Sequence, residues 1–179
     1  MPWQIITGDS VNGGGAMNLN EVASSVHRTQ ANTLTTTVTN DPNVFVQVSV
    51  NSLDPVTPEY AGDFEQGGVN EASLVHLGGD HDYMLQVSGS VISLNPDFLG
   101  SYIGVKLISD LQGEFTGGVK FYPIGVSFGS SPAMGFQVTV FGRFPENDTV
   151  RLQLSSNNAG DLSVVDCIYY AQRIVPEST

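Results

Sequence analysis

From Leu34 onward the chain alternates apolar and polar side chains with a period of two, the signature of strands that bury one face. Val44, Val46, Val48 and Val50 alternate with Phe45, Gln47 and Ser49. Across 83–94, Leu85, Val87, Gly89 and Val91 alternate with Gln86, Ser88 and Ser90. Ile103, Val105 and Leu107 oppose Gly104, Lys106 and Ile108 in 102–109, and Phe136, Val138, Val140 and Phe144 oppose Gln137, Thr139 and Arg143 in 136–144. Val150, Leu152 and Leu154 repeat the pattern in 149–155, and further runs occupy 34–39, 72–77, 119–128 and 162–175. Gly, Pro, Asn and Asp separate the runs and mark turns. No helical period intervenes, so the expected fold class is all-β, an antiparallel sandwich or closed barrel.

The last run is apolar on both faces. Leu162, Val164, Ile168, Tyr170 and Ile174 share one side of a regular strand, and Val165, Cys167, Tyr169, Ala171 and Val175 share the other. A strand of this kind is covered on both sides. Two covers are open: the chain's own N-terminal segment, or a second copy. The second makes Val165, Cys167, Tyr169 and Ala171 a subunit interface. Residues 1–33 read differently from the rest. Trp3, Ile5 and Ile6 form a short apolar patch, Gly13–Gly15 come next, and Leu19, Val22 and Val26 give a weak helical face. The expected division is an N-terminal arm over 1–33 and a β domain over 34–179.

Charge narrows the function. Six Lys and Arg stand against 18 Asp and Glu, a net charge of −12. So few scattered bases cannot neutralise a run of phosphates, which excludes nucleic acid and anionic membrane surfaces as partners. At 40% hydrophobic the chain still has the material for a core. Cys167 is the only cysteine, leaving neither an intramolecular disulfide nor a cysteine-based zinc site. No run approaches 18 apolar residues, so no helical membrane span is expected. The start, Met1-Pro2-Trp3-Gln4, has neither a basic nor an apolar leader pattern, so synthesis in a cytoplasm without secretion is expected.

Three motifs carry chemical potential. Gly125-Val126-Ser127-Phe128-Gly129 fits the G-x-S-x-G pattern, but that elbow needs a helix after it and a turn-like Ser130-Ser131-Pro132 comes instead. His76, Asp80, His81 and Asp82 are suitable ligand types for zinc or manganese, but Gly78-Gly79 breaks the strand that would align them, so a polar hairpin turn is the expectation. Residues 51–71 form an acidic loop without calcium-loop spacing. Asp166 sits between apolar neighbours and requires a cation, for which Arg151 and Arg173 are the candidates. The expectation is no metal, no cofactor and no enzyme activity.

The C-terminal half has a recognisable cadence. Gly135–Phe144 is a strand, Glu146-Asn147-Asp148 an acidic turn, Thr149–Leu154 a strand, Asn157–Asp161 a loop, and Leu162–Ile174 closes. This resembles the ending of tumour-necrosis-factor-like and complement-globular-head-like jelly rolls, and Tyr83–Leu94 and Tyr102–Ser109 are similar to that fold's middle strands. The resemblance implies an antiparallel jelly-roll sandwich with an extended N-terminal arm. It also implies a homotrimer around a threefold axis with the terminal strand near the interface. With few charges, many Ser, Thr, Asn and Gly, and an arm ahead of a small β domain, the chain further resembles tailed-phage decoration or cement proteins and head-fibre knobs. This second resemblance implies a virion structural protein on the capsid surface, assembled in the host cytoplasm. Its partners would be its own copies and the major capsid protein, with Trp3, Ile5 and Ile6 as the capsid anchor. The alternative is a fibre knob or carbohydrate-binding jelly roll for host recognition, with Phe45, Tyr60, Tyr83 and Tyr122 stacking on sugars.

Overall fold

The structure is a computed structural model, which describes residues 24–29, 32–56, 62–126 and 131–174. Its strands are β1 (Ser24–Arg28), β2 (Thr36–Val38), β3 (Val46–Gln47), β4 (Asp54–Pro55), β5 (Phe64–Gln66), β6 (Ser73–His76), β7 (His81–Ile92), β8 (Tyr102–Ser109), β9 (Gly113–Pro123), β10 (Gly125–Val126), β11 (Pro132–Phe144), β12 (Thr149–Ser156) and β13 (Gly160–Ile174). Two antiparallel sheets result. The first runs β10-β11-β7-β13-β1-β4, with β2 also on β13; the second runs β5-β6-β12-β8-β9, with β3 also on β12. The chain passes between sheets at β2–β3, β3–β4, β4–β5, β6–β7, β7–β8, β9–β10, β11–β12 and β12–β13. Long strands that change sheet at each corner make a jelly-roll sandwich.

The expected alternation is what fills the space between the sheets. Leu85, Val87, Val138 and Val140 from the first sheet meet Val105, Leu107, Leu152 and Leu154 from the second, all with no exposed surface. Tyr169 lies among them, its hydroxyl donating to the Ala72 carbonyl at 2.8 Å. Where a side chain would not fit, glycine stands. A Cβ on Gly89 would come within 2.0 Å of the Asp166 carbonyl oxygen.

Three departures from the sequence expectations have physical causes. The helical expectation for the arm fails at Val26, which lies in β1. Backbone pairing of Ser24–Arg28 with Ile168–Gln172 overrides a weak local helical preference. The acidic loop over 51–71 contains β4 and β5, which the alternation was too short to announce. Finally, the strand expected over 119–128 begins at Gly113 and breaks at Ile124.

The closing strand carries the largest correction. Register shifts between Val164 and Asp166 at a β-bulge. One extra residue reverses the inward–outward phase. Leu162 and Val164 point into the core before it, and Cys167, Tyr169 and Ala171 point into the same core after it. Cys167, Tyr169 and Ala171 are at most 1% exposed within a single chain. They are therefore not a subunit interface, because the facing sheet already covers them. Val165, the extra residue of the bulge, is 39% exposed.

Candidate functional site

In antiparallel pairs, residues directly opposite share a face. The registers therefore define the outer face of the first sheet: Val26 beside Tyr170 beside Gln86 beside Thr139, and on the next row Gln172 beside Met84 beside Phe141. Phe141 is 67% exposed and Ile174 43%, while Ile168 and Tyr170 are half-buried. At this end of the face the apolar side chains stand among Asp82, Gln86, Thr139 and Gln172. The other end of the face is a shallow hollow of about 460 Å³ lined by Ser88, Ser90, Gly135, Gln137, Asp166 and Ile168 among others. The hollow exists because small residues face outward there; a Cβ on Gly135 would meet nothing closer than 3.9 Å. Tyr122 closes its rim from β9, bonding the Gln137 carbonyl and accepting from the Gln137 amide at 3.1 Å.

Asp166 stands at the edge of the hollow, and its partner is Arg28 at 3.1 Å, both about half exposed. Neither expected cation is used. Arg151 binds Asp110 through two nitrogens at 2.8 and 2.9 Å and also binds Glu71. Its guanidinium holds the Asp110 carboxyl below the usual range. Arg173 reaches His81 Nδ1 at 3.0 Å. The reason is registry: Arg28 is paired with Ile168 on the neighbouring strand, whereas Arg151 lies in the other sheet.

The second sheet also shows aromatic surface. Phe45 and Phe121 meet edge to face at 6.5 Å, with the Lys106 ammonium 5.0 Å from the Phe45 ring centre and paired with Glu114. Phe121 is 54% exposed and Tyr102 53%.

Of the other sequence candidates, Trp3, Ile5 and Ile6, Tyr60, and Ser127–Gly129 lie outside the described residues. Tyr83 is buried and unavailable to a sugar, and Tyr122 is half-buried with its hydroxyl committed to β11. His76 is fully buried, while His81 and Asp82 start β7 at the surface. Among the described residues no group of three or more His, Cys, Asp or Glu is placed to hold a metal ion. Burial pushes the Cys167 thiol far above its ordinary range, with Asp166 adding to the effect, and raises the Tyr169 phenol as well. Among the described residues no helix is long and apolar enough to cross a membrane. The outer face of the first sheet was missed in the sequence because Phe141 and Met84 are single apolar residues among polar ones. Only the pairing of strands gathers them.

No family model and no curated protein sequence matches the chain. Solved structures do. The Eiger TNF from S. frugiperda matches with a TM-score of 0.53 at 11% identity, over 88% of this chain and 96% of that one. The PRD1 vertex protein P5 matches with a TM-score of 0.50 at 12% identity, over 87% of this chain and 99% of that one. At such identities the likeness speaks for the fold alone. The chain is folded as a tumour-necrosis-factor-like jelly roll, an architecture it shares with a phage vertex protein.

Proposed function

We propose that this is a non-enzymatic virion structural protein, a phage decoration or cement protein that binds the assembled capsid as a homotrimer. The observation that carries the reading is the outer face of the first sheet of a TNF-like jelly roll, where exposed Phe141 and Ile174 and partly exposed Tyr170 and Met84 stand among Gln86, Gln172 and Asp82. A second copy is the occupant we assign to it; Val165, exposed at the bulge, lies at the other end of the same sheet, beside the hollow. The likeness to a vertex protein supports a place on a shell. A protein that binds only the assembled shell stabilises it by mass action, and three linked contacts multiply a weak affinity. The acidic body repels packaged nucleic acid and would meet basic capsid surface. In this reading Trp3, Ile5 and Ile6, in the segment ahead of β1, anchor the protein to the major capsid protein.

Light scattering after size exclusion tests assembly, and a trimer has a mass of about 57 kDa, three times 19.0 kDa. Burying a whole phenylalanine is worth about 1.5–3 kcal/mol. Phe141 is 67% exposed, so Phe141→Ser should cost about 1–2 kcal/mol per subunit and weaken the trimer at least tenfold. A wild-type monomer at micromolar concentration defeats the trimer. Cosedimentation with capsids lacking the protein tests the shell; loss of binding on removing residues 1–15 is expected. The second reading, host recognition through a glycan, is favoured by Phe121 and Tyr102 on the second sheet. Specific glycan-array binding that survives the same truncation would select it.

A further inference from the structure

At the end of the sandwich where β6 ends and β7 begins, three side chains form a line of hydrogen-bond contacts. His76 Nδ1 lies 3.0 Å from the Pro145 carbonyl oxygen, His76 Nε2 lies 3.2 Å from the Tyr83 hydroxyl, and that hydroxyl lies 2.5 Å from Asp63 Oδ2. His76 and Tyr83 are buried, inside a ring of Phe64 and Phe144. Gly78 roofs the contact, since a Cβ there would come within 3.0 Å of both His76 Nε2 and the Asp63 carboxyl carbon.

Counting protons constrains this chain. A carbonyl oxygen only accepts, so Nδ1 carries a hydrogen. If Tyr83 donates to Asp63, its oxygen can only accept from His76, and Nε2 carries a hydrogen too. If Tyr83 donates to Nε2, Asp63 must be the acid that donates to Tyr83. Tyr83 cannot supply the difference by ionising, because burial and the Asp63 carboxylate hold its phenol well above the usual value. Both arrangements bind the same number of protons, and the groups titrate together.

We propose that the His76–Tyr83–Asp63 triad holds one proton more than a neutral imidazole, a phenol and a carboxylate contribute, and that this proton locks the end of the sandwich. When it leaves, two lone pairs face each other at the 3.2 Å Nε2–hydroxyl contact. The lock sits at the end of the sandwich where the close of β13 pairs with the start of β7. Other charged groups face it from each packed element: His81 on β7, Arg173 on β13, and Asp148 ahead of β12, whose carbonyl accepts from the His76 amide. Asp148's carboxylate is turned away, accepting from Ser109 and Leu111.

Linkage sets the sign. Above about pH 6.5 an unfolded histidine has lost its proton while the native triad keeps one, so unfolding releases a proton and stability falls as pH rises. The test is urea unfolding of the full chain from pH 5 to 9, wild type against Tyr83→Phe, which keeps the volume and removes the relay. The wild-type folding constant, relative to the variant, should be flat below pH 6.5 and fall by up to tenfold per unit above it until the native proton is lost. Parallel profiles overturn the proposal. A direct readout guards against a variant that fails to fold. Nitrogen-15 spectra of native wild type at pH 7.5 should show His76 with both ring nitrogens protonated. If Nε2 is bare, Asp63 must show the carbon-13 shift of a carboxylic acid. A bare Nε2 beside an ionised Asp63 overturns it.

Discussion

Deleting Val165 is the sharpest test of the bulge. Leu162 and Val164 before it and Cys167, Tyr169 and Ala171 after it all reach one core only because the extra residue resets the phase. Remove it, and either the first pair or the later three must turn outward. The first choice is the cheaper. Leu162 and Val164 have no exposed surface, and losing the burial of two such side chains costs about 1.5–3 kcal/mol each, about 3–6 kcal/mol together. Turning Ser163 inward without a partner adds to that. A domain of this size has about 5–15 kcal/mol in total. With a urea slope of about 2 kcal/mol/M, the midpoint should fall by about 1.5–3 M. The control is Val165→Ser, which keeps the extra residue and changes an exposed side chain; it should stay within about 0.5 kcal/mol of wild type. Measurements belong at low protein concentration, where assembly adds nothing to apparent stability. A deletion variant within about 1 kcal/mol of wild type would refute the phase argument and with it the removal of Cys167, Tyr169 and Ala171 from the interface.

The same geometry sets three more outcomes. Gly89→Ala should destabilise the chain by more than about 2 kcal/mol in chemical denaturation, because the new methyl meets the Asp166 carbonyl and the Phe136 ring, where core overpacking costs about 1–3 kcal/mol. Cys167 should resist a thiol reagent at pH 8 in the native state and react at the rate of unfolding, since its thiol is fully buried and its ionisation is suppressed. His27 has the opposite pH sign from the triad. Burial lowers its pKa below 6.5, so the neutral form is the folded one and its contribution, present above 6.5, is lost as pH falls through the folded value. Replacing His27 by Gln should flatten the acid side of the stability profile and leave the alkaline side unchanged.

The alternation in the sequence was enough to place most long strands. β7, β8, β11 and β12 each lie within a few residues of the expected runs, with the expected residues inward. That works because inward–outward alternation is a local consequence of the pleat, legible wherever one face is buried. The acidic balance was likewise a property of the chain alone. What the sequence could not contain was anything that depends on the neighbouring strand. β1 exists because β13 offers an edge and β4 because β1 then offers the next, and their own residues carry too few alternations to announce them. The pairing of Asp166 with Arg28, 138 residues away, is set by register across that edge. The bulge at Val165 is decided by β7, where Gly89 makes room for the displaced backbone, and a run of apolar residues with a phase reversal looks like a strand greasy on both sides. The same holds for the outer face around Phe141 and for the triad, whose members come from three separate stretches of chain that only the closed sandwich brings within hydrogen-bond reach.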